Sequence, residues 1–171
     1  MKPLRTVELQ VEFVGGGDDL FKEFSNAKSR EVFGETGNDS IIGGNHGDIL
    51  DGGPGNDVLT GGKGADKFVF DIAPGSATDV DTITDFKESQ HDTIQLKSGV
   101  FPGIPLGPLD SDHFHVGAAV NTNPQIDYDP VSGALAYDPD GTGPGLPRQF
   151  AILSNHAALH AHDLNAFLVS P

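Results

Sequence analysis

The 171-residue chain sets ten Lys and Arg against 25 Asp and Glu, for a formal charge of −15, and has no cysteine. Self-repulsion on that scale argues against nucleic acid and anionic membrane as partners, and without thiols there are no disulfides or thiolate metal sites. Hydrophobic residues make up 36%, beside 23 Gly and 12 Pro, so a length suited to one domain carries a thin core that needs support beyond apolar burial.

Met1–Arg5 leads into Glu8 and Glu12 without an apolar stretch. No window approaches ~18 apolar residues, so neither a cleaved leader nor a transmembrane helix is predicted. A secreted form then needs a route without a cleaved N-terminal signal. VELQVEF at 7–13 alternates apolar and polar residues, the mark of a half-buried strand. GGGDDLF at 15–21 reads as a shortened turn, and residues 1–32 together read as an N-terminal cap on the segment that begins at residue 33.

From Gly34 the chain reads GETGNDSII, GGNHGDILD, GGPGNDVLT and GGKGADKFV, four units starting at Gly34, Gly43, Gly52 and Gly61. The sixth position is always Asp (Asp39, Asp48, Asp57, Asp66) and the eighth always large and apolar (Ile41, Leu50, Leu59, Phe68). Extending the frame upstream puts Val32 at an eighth position. The Gly/Asn/Asp half of each unit accepts left-handed backbone angles and suits a turn with inward carbonyls. The apolar half suits a strand of about three residues. Two units make one flattened coil, and successive coils stack as parallel strands around the eighth-position side chains. A flexible Gly/Asp linker has no reason to keep an apolar residue at every ninth position.

Stacking pairs the first turn with the third and the second with the fourth. Asp39 then faces Asp57, and Asp48 faces Asp66. Paired carboxylates repel unless a cation lies between them, and Ca²⁺ with turn carbonyls completes a six-oxygen shell at about 2.3–2.6 Å. Four units therefore predict two complete sites.

GGPGNDVLT and GGKGADKFV resemble the RTX nonapeptide GGxGxDxUx of haemolysin-type calcium-binding proteins. The resemblance implies a parallel β-roll with Ca²⁺ held between turns. Carried over by position, the first site takes the carbonyls of Glu35 and Gly37 with Asp39, facing Gly52, Pro54 and Asp57. The second takes Gly44, His46 and Asp48, facing Gly61, Lys63 and Asp66. Two departures stand out: Glu35 replaces the second Gly of the first unit, and in the second unit His46 and Gly47 shift the later Gly by one place.

DKFVF at 66–70, DVDTITDF at 79–86 and HDTIQL at 91–96 resemble the segment capping the roll in serralysin-like proteins. DHFHVGAAV at 112–120, GALAYDPDGTGPG at 133–145 and QFAILSNHAALHAHDL at 149–164 resemble the terminal region of secreted RTX proteins of soil and symbiotic bacteria. In the family an aromatic directly follows the last Asp; here Asp163 is followed by Leu-Asn-Ala before Phe167.

Three further groups have both a functional and a plain reading. Asp79, Asp81 and Asp85 alternate with apolar residues, as extra ligands or as a surface strand; Asp81 and Asp85 cannot both face an apolar interior without a cation. Asp138–Gly143 resembles the start of an EF-hand loop, but Gln149 stands where the bidentate acid belongs, which favours a turn between two strands. His156, His160 and His162 fit a short helix capped by Ser154 or Asn155, with His156 and His160 on one face; a Zn²⁺ site there is the functional reading, and a solvated helix face is the plain and favoured one. His113 and His115 alternate on a predicted strand. No enzyme signature is present.

The sequence therefore predicts an all-β module: a cap over 1–32, a short parallel β-roll over 33–70, and antiparallel capping strands with a C-terminal β unit over 71–171. The expected cofactor is Ca²⁺, with no catalytic site. The family resemblance implies export by a type I secretion apparatus through an uncleaved signal near the C-terminus, followed by folding outside the cell on Ca²⁺. Two other roles fit the chain: an accessory module bound to the catalytic domain of a larger secreted protease, lipase or epimerase, or an adhesion or symbiosis effector recognised by a host surface.

Overall fold

The computed structural model describes residues 10–22, 28–75, 79–117, 119 and 121–168. The start of the alternating segment at 7–13, Ala118 and Val120 of the 112–120 segment, and the last three residues of the C-terminal region fall outside them. Among the described residues there is no α-helix, only strands and two single 3₁₀ turns, Glu88–Gln90 and Ala161–Asp163.

The first nine strands wind to and fro between two sheets. They are β1 (Gln10–Phe13), β2 (Leu20–Lys22), β3 (Arg30–Phe33), β4 (Ser40–Gly44), β5 (Ile49–Asp51), β6 (Val58–Gly62), β7 (Lys67–Phe70), β8 (Asp81–Ile83) and β9 (Thr93–Lys97). Odd-numbered strands stack in parallel in one sheet, β1-β3-β5-β7-β9, and even-numbered strands in the other, β2-β4-β6-β8. The alternation follows from the sequence: each turn is too short to return the chain to its own sheet, so every strand pairs with the strand one full coil away.

The interior holds two columns of side chains. Val32, Leu50, Phe68 and Ile94 are in register in one sheet, and Ile41, Leu59 and Ile83 in the other, all with zero exposure. At the N-terminal end Glu12 stands in register with Val32 and pairs with Arg30 Nη1 at 2.7 Å. The alternation then turns Val11 and Phe13 outward, where Phe13 stacks on Phe33 with ring centroids 5.2 Å apart.

The segment after residue 97 adds β10 (Gly107–Pro108), β11 (Phe114–Val116), β12 (Gln125–Tyr128), β13 (Ala134–Asp138), β14 (Arg148–Leu153) and β15 (Leu164–Phe167). An antiparallel β12-β13-β14 meander is present, with β11 parallel to β12 on its outer side. β14 and β15 are different: they pair in parallel with β8 and β9 and so continue both columns of the roll. Leu164 takes the interior place in register with Ile94, and Leu153 that beside Ile83. With Leu-Asn-Ala after Asp163, Leu164 and Ala166 face in, and Phe167 lies half-buried beside Lys97. Strands β1 and β2 extend the stack upstream in the same parallel sense. An aromatic cluster of Phe70, Phe101, Tyr137 and Phe150 ties the meander to the roll through edge-to-face contacts of 5.0–5.6 Å.

The expected helix around 154–162 does not form. His156 takes a left-handed φ of 50°, which a right-handed helix does not admit, and Asn155 Nδ2 donates to the Phe86 carbonyl at 2.8 Å.

Candidate metal centre

Each repeat aspartate lies immediately before or at the start of a strand, with its side chain folded back into the turn. Burial is nearly complete: Asp39 1%, Asp48 2%, Asp57 1% and Asp66 0% exposed. One carboxylate oxygen of each holds the coil before it. Asp57 Oδ1 accepts from the Asp39 amide at 2.7 Å, and Asp66 Oδ1 from the Asp48 amide at 2.8 Å, across eighteen residues in both cases. The expected pairs, Asp39 with Asp57 and Asp48 with Asp66, are therefore adjacent along the stack.

The same bond recurs beyond the four units. Asp39 Oδ1 accepts from the Asp19 amide, Asp81 Oδ1 from Asp57, Asp48 Oδ1 from Arg30 and Asp92 Oδ1 from Asp66. One row thus runs Asp19-Asp39-Asp57-Asp81 and the other Arg30-Asp48-Asp66-Asp92. The coil length grows from eighteen residues to 20 at the upstream end and to 24 and 26 downstream. A fixed nine-residue frame cannot reach Asp19, Asp81 or Asp92. The triplet Asp-x-apolar could have found them, since Asp19-Leu-Phe, Asp81-Thr-Ile and Asp92-Thr-Ile match Asp39-Ser-Ile.

The second carboxylate oxygen is the informative one. Oδ2 of Asp39, Asp57 and Asp66 is buried without a hydrogen-bond partner. Each points at the glycine that opens its own turn, Gly34, Gly52 or Gly61, so closely that a Cβ there would collide with it. A buried unpaired carboxylate oxygen is expensive, and a cation is the partner that suits it. Burial accordingly pushes the carboxyls up. Asp66 reaches about 7, with Asp92 and Asp48 adding repulsion, and Asp57 and Asp81, whose carboxylates repel one another, are raised by burial too. Asp39, Asp48 and Asp92 are also raised, again chiefly by burial.

The carbonyls of Glu35, Gly37, Gly44, His46, Gly52 and Gly61 lie against glycines of neighbouring turns. Gly53 and Gly55 have no room for a Cβ because the Glu35 and Gly37 carbonyls approach them from the neighbouring turn, as the Gly44 carbonyl approaches Gly62 and the His46 carbonyl Gly64. The Gly52 and Gly61 carbonyls crowd Gly34 and Gly43 in the same way. The Pro54 carbonyl accepts from the Gly37 amide at 3.1 Å, and the Gly44 carbonyl from the Lys63 amide at 2.8 Å. A carbonyl has two acceptor positions, so either can still face a cation. Glu35 keeps the left-handed backbone of the glycine it replaces, at φ 68° beside 129°, 82° and 96° for Gly44, Gly53 and Gly62. The second unit differs at its fourth position: Gly37, Gly55 and Gly64 have positive φ, whereas His46 does not.

The remaining acidic groups divide. Asp81 joins the ladder. Asp85 instead accepts the Gly61 and Gly62 amides, both at 2.9 Å, and closes the fourth turn. Asp138 accepts the amides of Asp140 and Gly141, and Asp140 that of Gly145, so these carboxylates brace the turn between β13 and β14. His113 Nδ1 pairs with Asp110 at 2.7 Å, and His115 contacts Asn121.

The family model of the RTX calcium-binding nonapeptide repeat matches residues 31–59 and 42–71, in four copies. The four units are RTX repeats, and RTX repeats bind Ca²⁺; the oxygen-only donor set of the two ladders fits that ion. No curated protein matches the chain in sequence. Among solved structures, the AlgE6R2 subunit of a mannuronan C5-epimerase from Azotobacter vinelandii superposes with a TM-score of 0.55 at 24% identity, covering 99% of each chain. The AlgE6R3 subunit of the same enzyme gives 0.53 at 22%, covering 94% of this chain and 81% of its own. The shared architecture is the β-roll.

Proposed function

We propose that the chain is a secreted module that folds when Ca²⁺ enters its two aspartate ladders. One site lies between the turns of Asp39 and Asp57, with the carbonyls of Glu35, Gly37, Gly52 and Pro54. The other lies between those of Asp48 and Asp66, with Gly44, His46, Gly61 and Lys63. The observation that carries this reading is the set of buried, unpartnered Oδ2 atoms on Asp39, Asp57 and Asp66. At low calcium the ladders are stacked charges that oppose folding; at the millimolar calcium outside cells they become its main support. That dependence suits export through a type I apparatus in an unfolded state, directed by a signal in about the last fifty residues. The role is binding and folding rather than catalysis. Far-UV circular dichroism is the test: β signal should develop between chelator and excess Ca²⁺, and an unchanged spectrum refutes the reading.

A second reading rests on the likeness to epimerase R subunits over nearly the whole of both chains. It makes the chain an accessory module of a secreted polysaccharide-modifying enzyme. Retention of the Ca²⁺-loaded chain on immobilised mannuronan supports this role, and elution with the void volume removes it.

A further inference from the structure

Away from both ladders, the structure gathers four metal-binding side chains from positions some seventy residues apart in sequence. Glu88 stands in the 3₁₀ turn that closes the roll's last extended loop. His160, His162 and Asp163 flank and form the 3₁₀ turn that leads into β15. We propose that Glu88, His160, His162 and Asp163 form a second metal site, for Zn²⁺ or a similar borderline transition ion.

The four side chains converge on one small space. His160 Nδ1 lies 3.6 Å from Glu88 Oε2 and 3.6 Å from Asp163 Oδ2. His162 Nε2 lies 3.3 Å from Glu88 Oε1 and 3.6 Å from Asp163 Oδ1. One donor atom from each residue lies within 4.8 Å of all the others. Four ligands at the usual zinc distances of 2.0–2.1 Å are separated by edges of about 3.3–3.4 Å. The four nitrogen–oxygen separations are at or just above that edge, but each histidine faces a different oxygen of Glu88 and of Asp163, and one donor from each residue spans up to 4.8 Å, so the exposed side chains must draw together to complete the shell.

Three further features point the same way. The two imidazole rings lie parallel, with centroids 5.4 Å apart and planes 10° from coincidence, so their nitrogens face the carboxylates side by side. Asp163 is 3% exposed, and its Oδ2 accepts the His160 amide at 2.8 Å, which fixes the carboxylate before any ion arrives. The histidines and Glu88 are open to solvent, which leaves a way in. Imidazole with carboxylate suits Zn²⁺, Cu²⁺ or Ni²⁺, whereas Ca²⁺ takes oxygen donors, so this site discriminates against the ion that fills the ladders. Its effect is to clip the loop at 85–92, which ends the second ladder, to β15, the strand that follows β9 in the odd-numbered sheet.

The test uses the full chain in excess Ca²⁺, titrated calorimetrically with Zn²⁺ alone. The expected result is one Zn²⁺ per chain, affinity at least about tenfold weaker in His160→Ala, His162→Ala and Glu88→Gln, and a tetrahedral d–d spectrum with Co²⁺. Zn²⁺ at about a hundred times its Kd should raise the melting temperature by roughly 5–10 °C. The histidine side chains are 52% and 65% exposed, so the variants should keep the calcium-induced β signal. His162→Gln, which keeps a side chain of similar polarity, serves as a second variant if His162→Ala does not fold. No Zn²⁺ uptake, uptake undiminished in the histidine variants, or a weak octahedral Co²⁺ spectrum overturns the proposal. Each readout is independent of whether calcium drives folding.

Discussion

Asp66→Asn should shift the calcium-free and calcium-loaded states in opposite directions. Asp66 has zero exposure, its Oδ1 holds the Asp48 amide, and its Oδ2 has no partner. Burial raises its pKa from 3.8 to about 7. A carboxyl with a raised folded-state pKa opposes folding once ionised: the penalty is absent below about pH 4 and grows until pH passes about 7. A rise of that size corresponds to about 4 kcal/mol as an upper bound. Asparagine keeps the Oδ1 acceptor and removes the charge, so without calcium the variant should be more structured at pH 8 than the parent. With calcium it lacks an anionic ligand, and affinity should fall more than about a hundredfold, since supporting residues alone are worth 10–100-fold. Chemical denaturation at pH 8, with chelator and across a Ca²⁺ titration, measures both. A variant less stable than the parent in chelator, or one with unchanged calcium affinity, would refute the account of Oδ2.

The same sign governs acidity. Without calcium, β structure should increase as pH falls from 8 to 5, because Asp51 and Asp66 titrate near 7 and Asp81 is raised as well; dichroism that falls over this range contradicts it. Calcium affinity should weaken over the same window as protons compete. Gly53→Ala puts a Cβ against the Glu35 carbonyl at φ 82°, and a loss of roughly 1–3 kcal/mol in the calcium-loaded state is expected by thermal melting. Phe68→Ala, in the middle of an interior column, should cost about 3–5 kcal/mol, whereas Phe13→Ala on the outer face should cost much less.

The repeat was legible because its two physical requirements are local. A turn that needs positive φ shows as glycine, and a narrow interior shows as one apolar residue per unit. Those two signals placed Asp39, Asp48, Asp57 and Asp66 in their pairs and gave the parallel stacking. They did not reach Asp19, Asp81 and Asp92, because there the loop length varies while only the Asp-x-apolar triplet persists. The joining of β14 and β15 to the roll was hidden for another reason. It depends on pairing across some seventy residues, between β8 and β14 and between β9 and β15, and alternation within a strand does not say which neighbour it will choose. The histidines mislead in the same way: Asn155 looks like a helix cap until Phe86 supplies a carbonyl for it. The meeting of His160 with Glu88 is likewise a property of the closed roll.

Arg30 occupies the place in its row that every later coil gives to aspartate, and its amide makes the bond to Asp48 that an aspartate amide would make. Its positive charge also lowers the Asp48 pKa against the effect of burial. At that step the cation is covalently part of the chain, so its concentration cannot be diluted. A stack in which each coil touches only its neighbours can begin to order wherever one junction is least unfavourable. The junction at Arg30 is therefore where ordering is expected to begin. As calcium rises, the row holding Asp48, Asp66 and Asp92 is expected to close before the all-carboxylate row, and earlier amide protection in the latter by hydrogen exchange would contradict this.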